Sequence, residues 1–284
     1  MARDQLKFAF KSQVYDLSAR THIMGILNVT PDSFSDGGRF FDLERAVERG
    51  VELATQGADF LDIGGESTRP GSDPVSEEEE IRRVVPVIER LNRVVKIPLS
   101  IDTYKSGVAR AALAAGACIV NDISGMTYDP LMSETISGSG AAVVLMHILG
   151  TPKTMQLNPV YDDVVRDVFQ FLKRQSALAR ENGITQIMVD PGLGFGKELH
   201  DNVELMKKLG TFAQLGYPIL VGPSRKSFIG KILDLPVEQR LEGTAAAVTA
   251  CILRGANIVR VHDVKEMKRV AMVADALKSA EAKT

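Results

Sequence analysis

Short apolar runs that follow a glycine and end in polar residues recur along the whole chain. Each run is about five residues long, which fits a strand of a parallel sheet buried on both faces. The preceding glycine suits the end of a helix, where the backbone needs a positive φ. The clearest copies begin at Gly57, Gly116, Gly140 and Gly255, looser copies begin at Gly183 and Gly216, and runs at 22–28 and 97–102 complete a set of eight.

Segments with one apolar and one polar face separate these runs and predict helices. Ser76 followed by Glu79 is the sequence pattern of a capping box at the start of one of them. Gly50 lies inside the first segment and weakens that prediction, because glycine destabilises a helix interior. The predicted helices span 42–56, 76–94, 105–115, 131–138, 161–182, 201–210, 239–254 and 263–280.

Alternation of eight strands and eight helices predicts a (β/α)8 TIM barrel. The 284 residues give about 35 residues per unit, and no linker-like stretch divides the chain, so we expect a single domain over residues 1–284. Two short strand-like runs, 6–10 and 14–17, predict a β-hairpin ahead of the barrel. A doubly wound open sheet is the alternative architecture.

Composition excludes some classes of partner. The chain is 45% hydrophobic and 25% charged, with a formal net charge of −2. This balance gives no reason to expect nucleic acid or an anionic membrane as a partner. No apolar run approaches the roughly 20 residues of a membrane span. The only two cysteines, Cys118 and Cys251, fall in apolar segments, and we expect a cytoplasmic protein.

A glycine-rich bend follows the apolar run 187–189. It reads DPGLGFGK from Asp190 to Lys197 and matches neither a Walker A loop nor a dinucleotide-binding fingerprint. The segment therefore offers an acidic side chain at a strand end beside a backbone that a ligand can approach closely.

Other predicted strands also end in polar residues, and in a barrel these ends meet at one mouth. Asp102, Asn121 and Asp190 offer hydrogen-bond acceptors, which suits a flat heterocycle with several N–H groups. Asp62 is expected to cap the helix that follows it. Three loops that follow strands, 28–41, 64–75 and 147–160, are long enough to favour a functional role.

A second group of strand-end residues is basic and suits an anion: Arg69, Arg225, Lys226, Arg260 and His262. Alternation along the last strand puts Arg260 and His262 on one side, an arrangement that is costly without an anion. Arg260 could instead pair with Asp263 at the surface. Ser227 precedes a short helix and is expected to be its N-cap, which provides a second place for an anion.

Five segments resemble the signatures of the dihydropteroate synthase family, in the family's order. They are GILNVTPDSFSDGG at 25–38, DIGGESTRPG at 62–71, the glycine bend at 190–197, SRKS at 224–227 and RVHD at 260–263. The resemblance covers nearly the whole chain. It implies a (β/α)8 barrel, a homodimer, and the joining of 6-hydroxymethyl-7,8-dihydropterin pyrophosphate to p-aminobenzoate in folate biosynthesis, a reaction whose second substrate sulfonamide drugs imitate.

The same resemblance implies roles for individual residues. Mg²⁺ would bind Asn28 and phosphate oxygens. Loop residues Phe34 and Asp36 would close over the site, and Lys226, Arg260, His262 and Asp102 would take part in catalysis. The pterin would contact Asp102, Asn121, Met146, Asp190, Phe195 and Lys226; the pyrophosphate Thr68, Arg69, Arg260 and His262; and the aminobenzoate Phe34, Pro70, Lys226 and Ser227.

Three other functions stay open at this point. A pterin-dependent methyltransferase barrel would share the acidic residues but has no need for Asn28 or Arg69. A non-catalytic homologue would bind a pterin-like ligand without turnover, and the retained basic residues argue against it. A generic sugar-phosphate barrel enzyme is disfavoured because no Schiff-base or enediol geometry is evident.

Overall fold

The computed structural model of the protein describes residues 6–10, 13–30 and 38–281. Eight parallel strands form one sheet, and two short strands, β1 and β2, precede them in the chain. The eight strands are β3 (His22–Asn28), β4 (Phe60–Gly64), β5 (Leu99–Asp102), β6 (Ile119–Asp122), β7 (Ala142–Met146), β8 (Ile187–Asp190), β9 (Leu220–Val221) and β10 (Ile258–Val261). Their order in the sheet is β8-β7-β6-β5-β4-β3-β10-β9. The two edge strands of this order meet through a parallel bridge between Val189 and Ile219, and the Val189 N–H donates to the Pro218 carbonyl at 3.0 Å.

The closing bridge makes the sheet a barrel, so the (β/α)8 prediction is confirmed and the open-sheet alternative is wrong. All eight predicted helices are present, and a further short helix precedes the last two. Gly50 is tolerated because Leu91 packs against it so closely that a Cβ there would lie 2.7 Å from Leu91 Cδ2. The helices are α1 (Gly38–Thr55), α2 (Glu77–Val94), α3 (Ser106–Ala115), α4 (Met132–Ser139), α5 (Val164–Glu181), α6 (Leu199–Lys207), α7 (Ser227–Leu233), α8 (Leu241–Leu253) and α9 (Val264–Glu281).

The predicted N-terminal hairpin is present as β1 (Lys7–Phe10) paired antiparallel with β2 (Gln13–Asp16). Its apolar side chains pack on the inward-facing residues at the amino ends of the barrel strands. Phe10, for example, meets Phe60 edge to face with ring centres 5.6 Å apart. The hairpin thus closes the end of the barrel opposite the strand C-termini.

Alternation along each strand divides the barrel into an outer and an inner core. In β4, Leu61 and Ile63 pack outward in the large cluster shared with the helices, whereas Phe60 belongs to the inner cluster. Asp62 has the same parity as Phe60 and so faces the interior. The inward positions change from apolar to polar toward the strand C-termini. Within the described residues, no helix is long and apolar enough to cross a membrane.

Candidate active site

A cavity opens at the carboxyl ends of the strands. This is the end of a barrel where enzymes carry their active sites. Eight residues predicted from the sequence meet around it, although they come from seven different strand ends or loops. The lining residues are Thr68, Asp102, Asn121, Ile123, Met146, Asp190, Leu193, Phe195, Gly222, Lys226 and Arg260.

Arg260 on β10 joins two carboxylates across the barrel. Its Nε donates to Asp62 Oδ2 at 2.6 Å, and its terminal nitrogen donates to Asp102 Oδ2 at 2.5 Å. Asn121 Nδ2 also donates to Asp62 Oδ2, at 2.9 Å. The expectation that Asp62 caps a helix is therefore wrong: its fully buried carboxylate orients two cavity residues. The parity of β4 was the sequence signal that could have found this.

Burial governs the protonation of the cavity carboxyls. It raises the pKa of Asp102 to about 7, although the charge of Arg260 opposes the shift. It raises the pKa of Asp190 to about 6, although the Gly192 N–H donates to Asp190 Oδ1 at 2.7 Å. Both groups therefore change charge near neutral pH, the behaviour expected of a functional site.

The glycine bend after β8 is held by its own contacts. Gly192, Gly194 and Gly196 all have positive φ. A Cβ at Gly192 would lie 2.0 Å from the His147 carbonyl oxygen, so close backbone approach requires glycine there. The sequence predicted that a ligand approaches this backbone closely. In the structure, the loop after β7 approaches Gly192 instead. Asn202 of α6 was not among the predicted site residues, yet it accepts a hydrogen bond from the Gly194 N–H at 2.6 Å and helps to fix the bend.

Lys226 and Phe195 bring two loops together at the cavity. Lys226 Nζ lies over the Phe195 ring, and burial lowers the pKa of Lys226 to about 8 with help from the nearby charge of Arg260. Lys226 itself is the N-cap of α7, and Ser227 is the first helical residue. The prediction that Ser227 is the N-cap is wrong by one position, because the chain turns through Arg225 with φ of 56°.

His262 and Arg260 are not two neighbouring cations that lack partners. Ser224 Oγ lies 3.0 Å from His262 Nδ1, and burial lowers the pKa of His262 to about 3, so the ring is neutral at pH 7. Arg260 already has two carboxylate partners, and Asp263 pairs with Arg225, with Nε and Oδ2 3.0 Å apart. The argument that these cations require an anion is therefore wrong, and so is the alternative pairing of Arg260 with Asp263.

Asn28 ends β3 beside this network. A Cβ at Gly64 would lie 3.9 Å from Asn28 Oδ1 and 3.6 Å from Asp102 Oδ2, so only a glycine separates the two side chains. In the part of the chain that the structure describes, no group of three or more His, Cys, Asp or Glu could hold a metal ion. The amide oxygen of Asn28 could be one ligand of a Mg²⁺ ion that keeps most of its waters and also binds substrate oxygens. The residues here do not form a site in which protein groups alone surround the ion.

The remaining predicted residues lie outside the cavity wall. Arg69 and Pro70 are exposed in the loop after β4, where Ser72 Oγ donates to the Arg69 carbonyl at 2.8 Å. Thr68, one residue earlier, does reach the cavity. Phe34 and Asp36 fall outside the described residues.

Comparison with known proteins agrees with this arrangement. Residues 24–262 match the family described as pterin binding enzyme. A dihydropteroate synthase from Synechocystis sp. is 49% identical over 267 residues, which are 93% of this chain and 92% of that protein.

Two solved structures are similar along nearly their whole length. The Yersinia pestis dihydropteroate synthase in a sulfonamide drug complex has a TM-score of 0.91 at 42% identity, covering 96% of this chain and 99% of that one. The Xanthomonas albilineans dihydropteroate synthase with 4-aminobenzoic acid has a TM-score of 0.91 at 44% identity, covering 97% and 99%. Barrel, cavity and family match together define a pterin-binding enzyme, and the chain belongs to that family. Within it, the chain groups with the dihydropteroate synthases, which are transferases.

Proposed function

We propose that this protein joins 6-hydroxymethyl-7,8-dihydropterin pyrophosphate to p-aminobenzoate, giving 7,8-dihydropteroate and pyrophosphate. The observation that carries the proposal is the single cavity in which Asp102, Asn121 and Asp190 meet Lys226 and Arg260. The acceptors suit the N–H edge of a pterin, and the guanidinium of Arg260 suits a diphosphate. The activity of the relatives supports the same reaction.

The pterin ring is assigned to the buried part of the cavity. Asp190 and Asp102 would accept hydrogen bonds from its amino and N–H groups once their carboxyls are ionised, and Asn121 can both donate and accept. Met146 and Phe195 supply the apolar walls. Lys226, held over Phe195, is assigned to the ring edge that offers an acceptor.

The pyrophosphate is assigned to the outer part of the site. Arg260, which lines the cavity, and His262, two residues further along the chain, are assigned as donors, and Thr68 and Arg69 are assigned from the loop after β4. Asn28 would hold Mg²⁺, which when bound neutralises part of the pyrophosphate charge. The aminobenzoate is assigned to Pro70, Lys226 and Ser227, and by the family resemblance also to Phe34, and sulfonamides would compete for this place.

The bond changes follow from charge. The C–O bond between the pterin methylene and the pyrophosphate breaks, and the electron pair leaves with the pyrophosphate oxygen. The electron-rich dihydropterin delocalises the positive charge on the methylene carbon, and the aniline nitrogen donates its lone pair to form the new C–N bond. The nitrogen then loses its proton to solvent. Arg260 and His262 stabilise the departing anion, a contribution of about 3 kcal/mol for a well-placed donor.

The experiment that tests the function follows both products. The protein is mixed with dihydropterin pyrophosphate and p-aminobenzoate, and pyrophosphate and dihydropteroate are measured with and without a chelator. Equal amounts of both products, and loss of turnover with the chelator, are expected. Pyrophosphate release without dihydropteroate, or no turnover at all, would contradict the proposal and favour the methyltransferase or the non-catalytic homologue.

We also propose that the protein acts as a homodimer and that residues 1–284 form one cytoplasmic domain. An apolar groove of about 430 Å³ between α6, α7 and α8 supports the dimer, because Val203 and Ile232 stand 42% and 56% exposed in it. From α8, Gly243, Ala246, Ala247 and Ala250 line this groove. Sedimentation of Ile232→Glu tests this: a monomer is expected, and an unchanged dimer would reject the groove.

A further inference from the structure

One partly buried lysine contacts both ends of the loop that carries Thr68 and Arg69. This loop, residues 65–76, joins β4 to α2. Lys105 Nζ donates to Glu66 Oε2 at 2.6 Å at the start of the loop and to the Val75 carbonyl at 2.9 Å at its end. It also donates to Glu80 Oε2 at 2.6 Å in the first turns of α2.

Glu66 completes the connection from the other side. Its Oε2 accepts a hydrogen bond from the Val75 N–H at 3.0 Å, and its Oε1 accepts one from the Tyr104 hydroxyl at 2.6 Å. The preceding carbonyl, of Gly65, accepts from Arg83 at 2.8 Å. Glu66 lies in the DIGGESTRPG segment, yet neither the cavity nor the proposed reaction gives it a role.

The cluster is buried, whereas the loop between its anchor points is not. The side chains of Glu66 and Glu80 are 5% and 1% exposed and that of Lys105 is 16% exposed, but Arg69 and Pro70 are on the surface. Breaking a buried ion pair leaves an uncompensated charge, which makes such a pair far harder to open than a surface pair. None of the three charged residues lines the cavity, so they do not touch the substrate there.

The same strand end connects this cluster to the pterin site. Asp102 ends β5 and contacts Arg260, and Tyr104 and Lys105 follow it by two and three residues in the turn before α3. A shift of this turn would therefore move a cavity carboxylate and the loop anchor together.

We propose that Glu66 and Lys105 are positioning residues that hold the loop 65–76 in place, so that Thr68 and Arg69 are presented to the pyrophosphate of the substrate. This inference rests on the proposed function for the identity of the ligand. The contacts that Glu66 and Lys105 make with the loop are present in the protein without substrate.

The chain offers a matched control for the test. Lys153 Nζ makes an ion pair with Asp73 of the same loop at 2.7 Å, but the two side chains are 64% and 81% exposed. Exposed ion pairs contribute little to stability, because water screens the two charges. Lys105→Met and Lys153→Met therefore make the same chemical change, and each removes an ion pair with a residue at the loop 65–76. The carboxylate partners of Lys105 are buried, whereas the pair of Lys153 is at the surface.

The first measurement is hydrogen exchange of the backbone amides without substrate. Lys105→Met is expected to exchange at least about tenfold faster within residues 66–76, with the other barrel peptides unchanged, while Lys153→Met behaves as the unmodified protein. Unchanged exchange in Lys105→Met would overturn the proposal. Faster exchange throughout the barrel would also overturn it, because the cluster would then serve general stability.

The second measurement is steady-state kinetics. Lys105→Met is expected to raise KM for the dihydropterin pyrophosphate at least about tenfold, with a much smaller change in KM for p-aminobenzoate, and Lys105→Arg is expected to restore most of the loss. Equal changes in both KM values would overturn the role in pyrophosphate binding. If Lys105→Met does not fold, Glu66→Gln tests the same contacts. Hydrogen exchange can be measured without turnover. If the unmodified protein is inactive, the proposed function is rejected, and the exchange of Lys105→Met still tests whether Glu66 and Lys105 hold the loop.

Discussion

Lys226 Nζ lies 3.9 Å from the centre of the Phe195 ring. Phe195 belongs to the glycine bend after β8, and Lys226 to the turn before α7. The contact therefore joins two loops that are separated by the whole of α6 and β9. A cation over an aromatic face is attracted by about 0.5–2 kcal/mol, depending on how far it is removed from water.

Replacement of Phe195 by leucine should weaken pterin binding. The variant keeps an apolar side chain but removes the aromatic face that holds Lys226. We expect the Kd for the dihydropterin pyrophosphate to rise by about 3- to 30-fold, measured by calorimetry. Phe195→Tyr, which keeps the ring, should retain most of the affinity. Equal affinities for Phe195→Leu and the unmodified protein would show that the contact does not order the site.

Asp190→Asn should lose turnover and change how stability depends on pH. The pKa of Asp190 is raised from 3.8 to about 6 in the folded protein. The folded state thus binds more protons than the unfolded chain between these values, and the free energy of unfolding falls as pH rises through that window. Asp190→Asn removes this pH dependence. The Tm of the variant minus the Tm of the unmodified protein should therefore be more positive at pH 7.5 than at pH 4.5.

Calorimetric scans at the two pH values check this. Asp162→Asn removes a carboxylate that is 94% exposed and serves as the control. The same Tm difference for Asp190→Asn at both pH values would contradict the assigned burial effect.

Asp62→Ala should be strongly destabilising. Its fully buried carboxylate neutralises Arg260, and its removal leaves that guanidinium with Asp102 alone. Loss of one partner of a buried pair costs about 3–5 kcal/mol, so urea unfolding should show a loss of that order. Asp73→Ala, which breaks the exposed pair with Lys153, should leave the free energy of unfolding nearly unchanged, because water screens that pair. A loss below about 1 kcal/mol for Asp62→Ala would show that Arg260 finds another partner.

Affinity for the pterin substrate should fall on acidification. The proposed contacts need ionised Asp102 and Asp190, and burial raises their pKa values to about 7 and about 6. Binding should therefore weaken steadily from pH 8 to pH 5, as calorimetry in matched buffers can measure. In Asp190→Asn the residual dependence should centre near pH 7, where Asp102 titrates. Affinity independent of pH over this range would contradict the assignment of both carboxylates.

Much of the site could be predicted because polar residues at the carboxyl ends of parallel strands must meet once the sheet closes. That rule alone predicts that Asp102, Asn121, Asp190 and Arg260 meet at one mouth. The parity of β4 indicates that Asp62 faces the interior, but the partners of Asp62 and Glu66 were not predictable in this way. A carboxylate at or after a strand end reads the same whether it caps a helix, pairs with a cation on another strand or anchors a loop.

The sequence by itself determined the barrel, since eight short apolar runs, six of them preceded by a glycine, recur along it and each run carries its own local signal. Only the tertiary structure decided which charges neutralise one another. The partners of Arg260 lie 158 and 198 positions away along the chain, and Lys105 reaches residues 25 and 39 positions away. No local pattern encodes such pairs, because electrostatic attraction depends on distance in space and on the exclusion of water, and both are fixed only when the barrel closes.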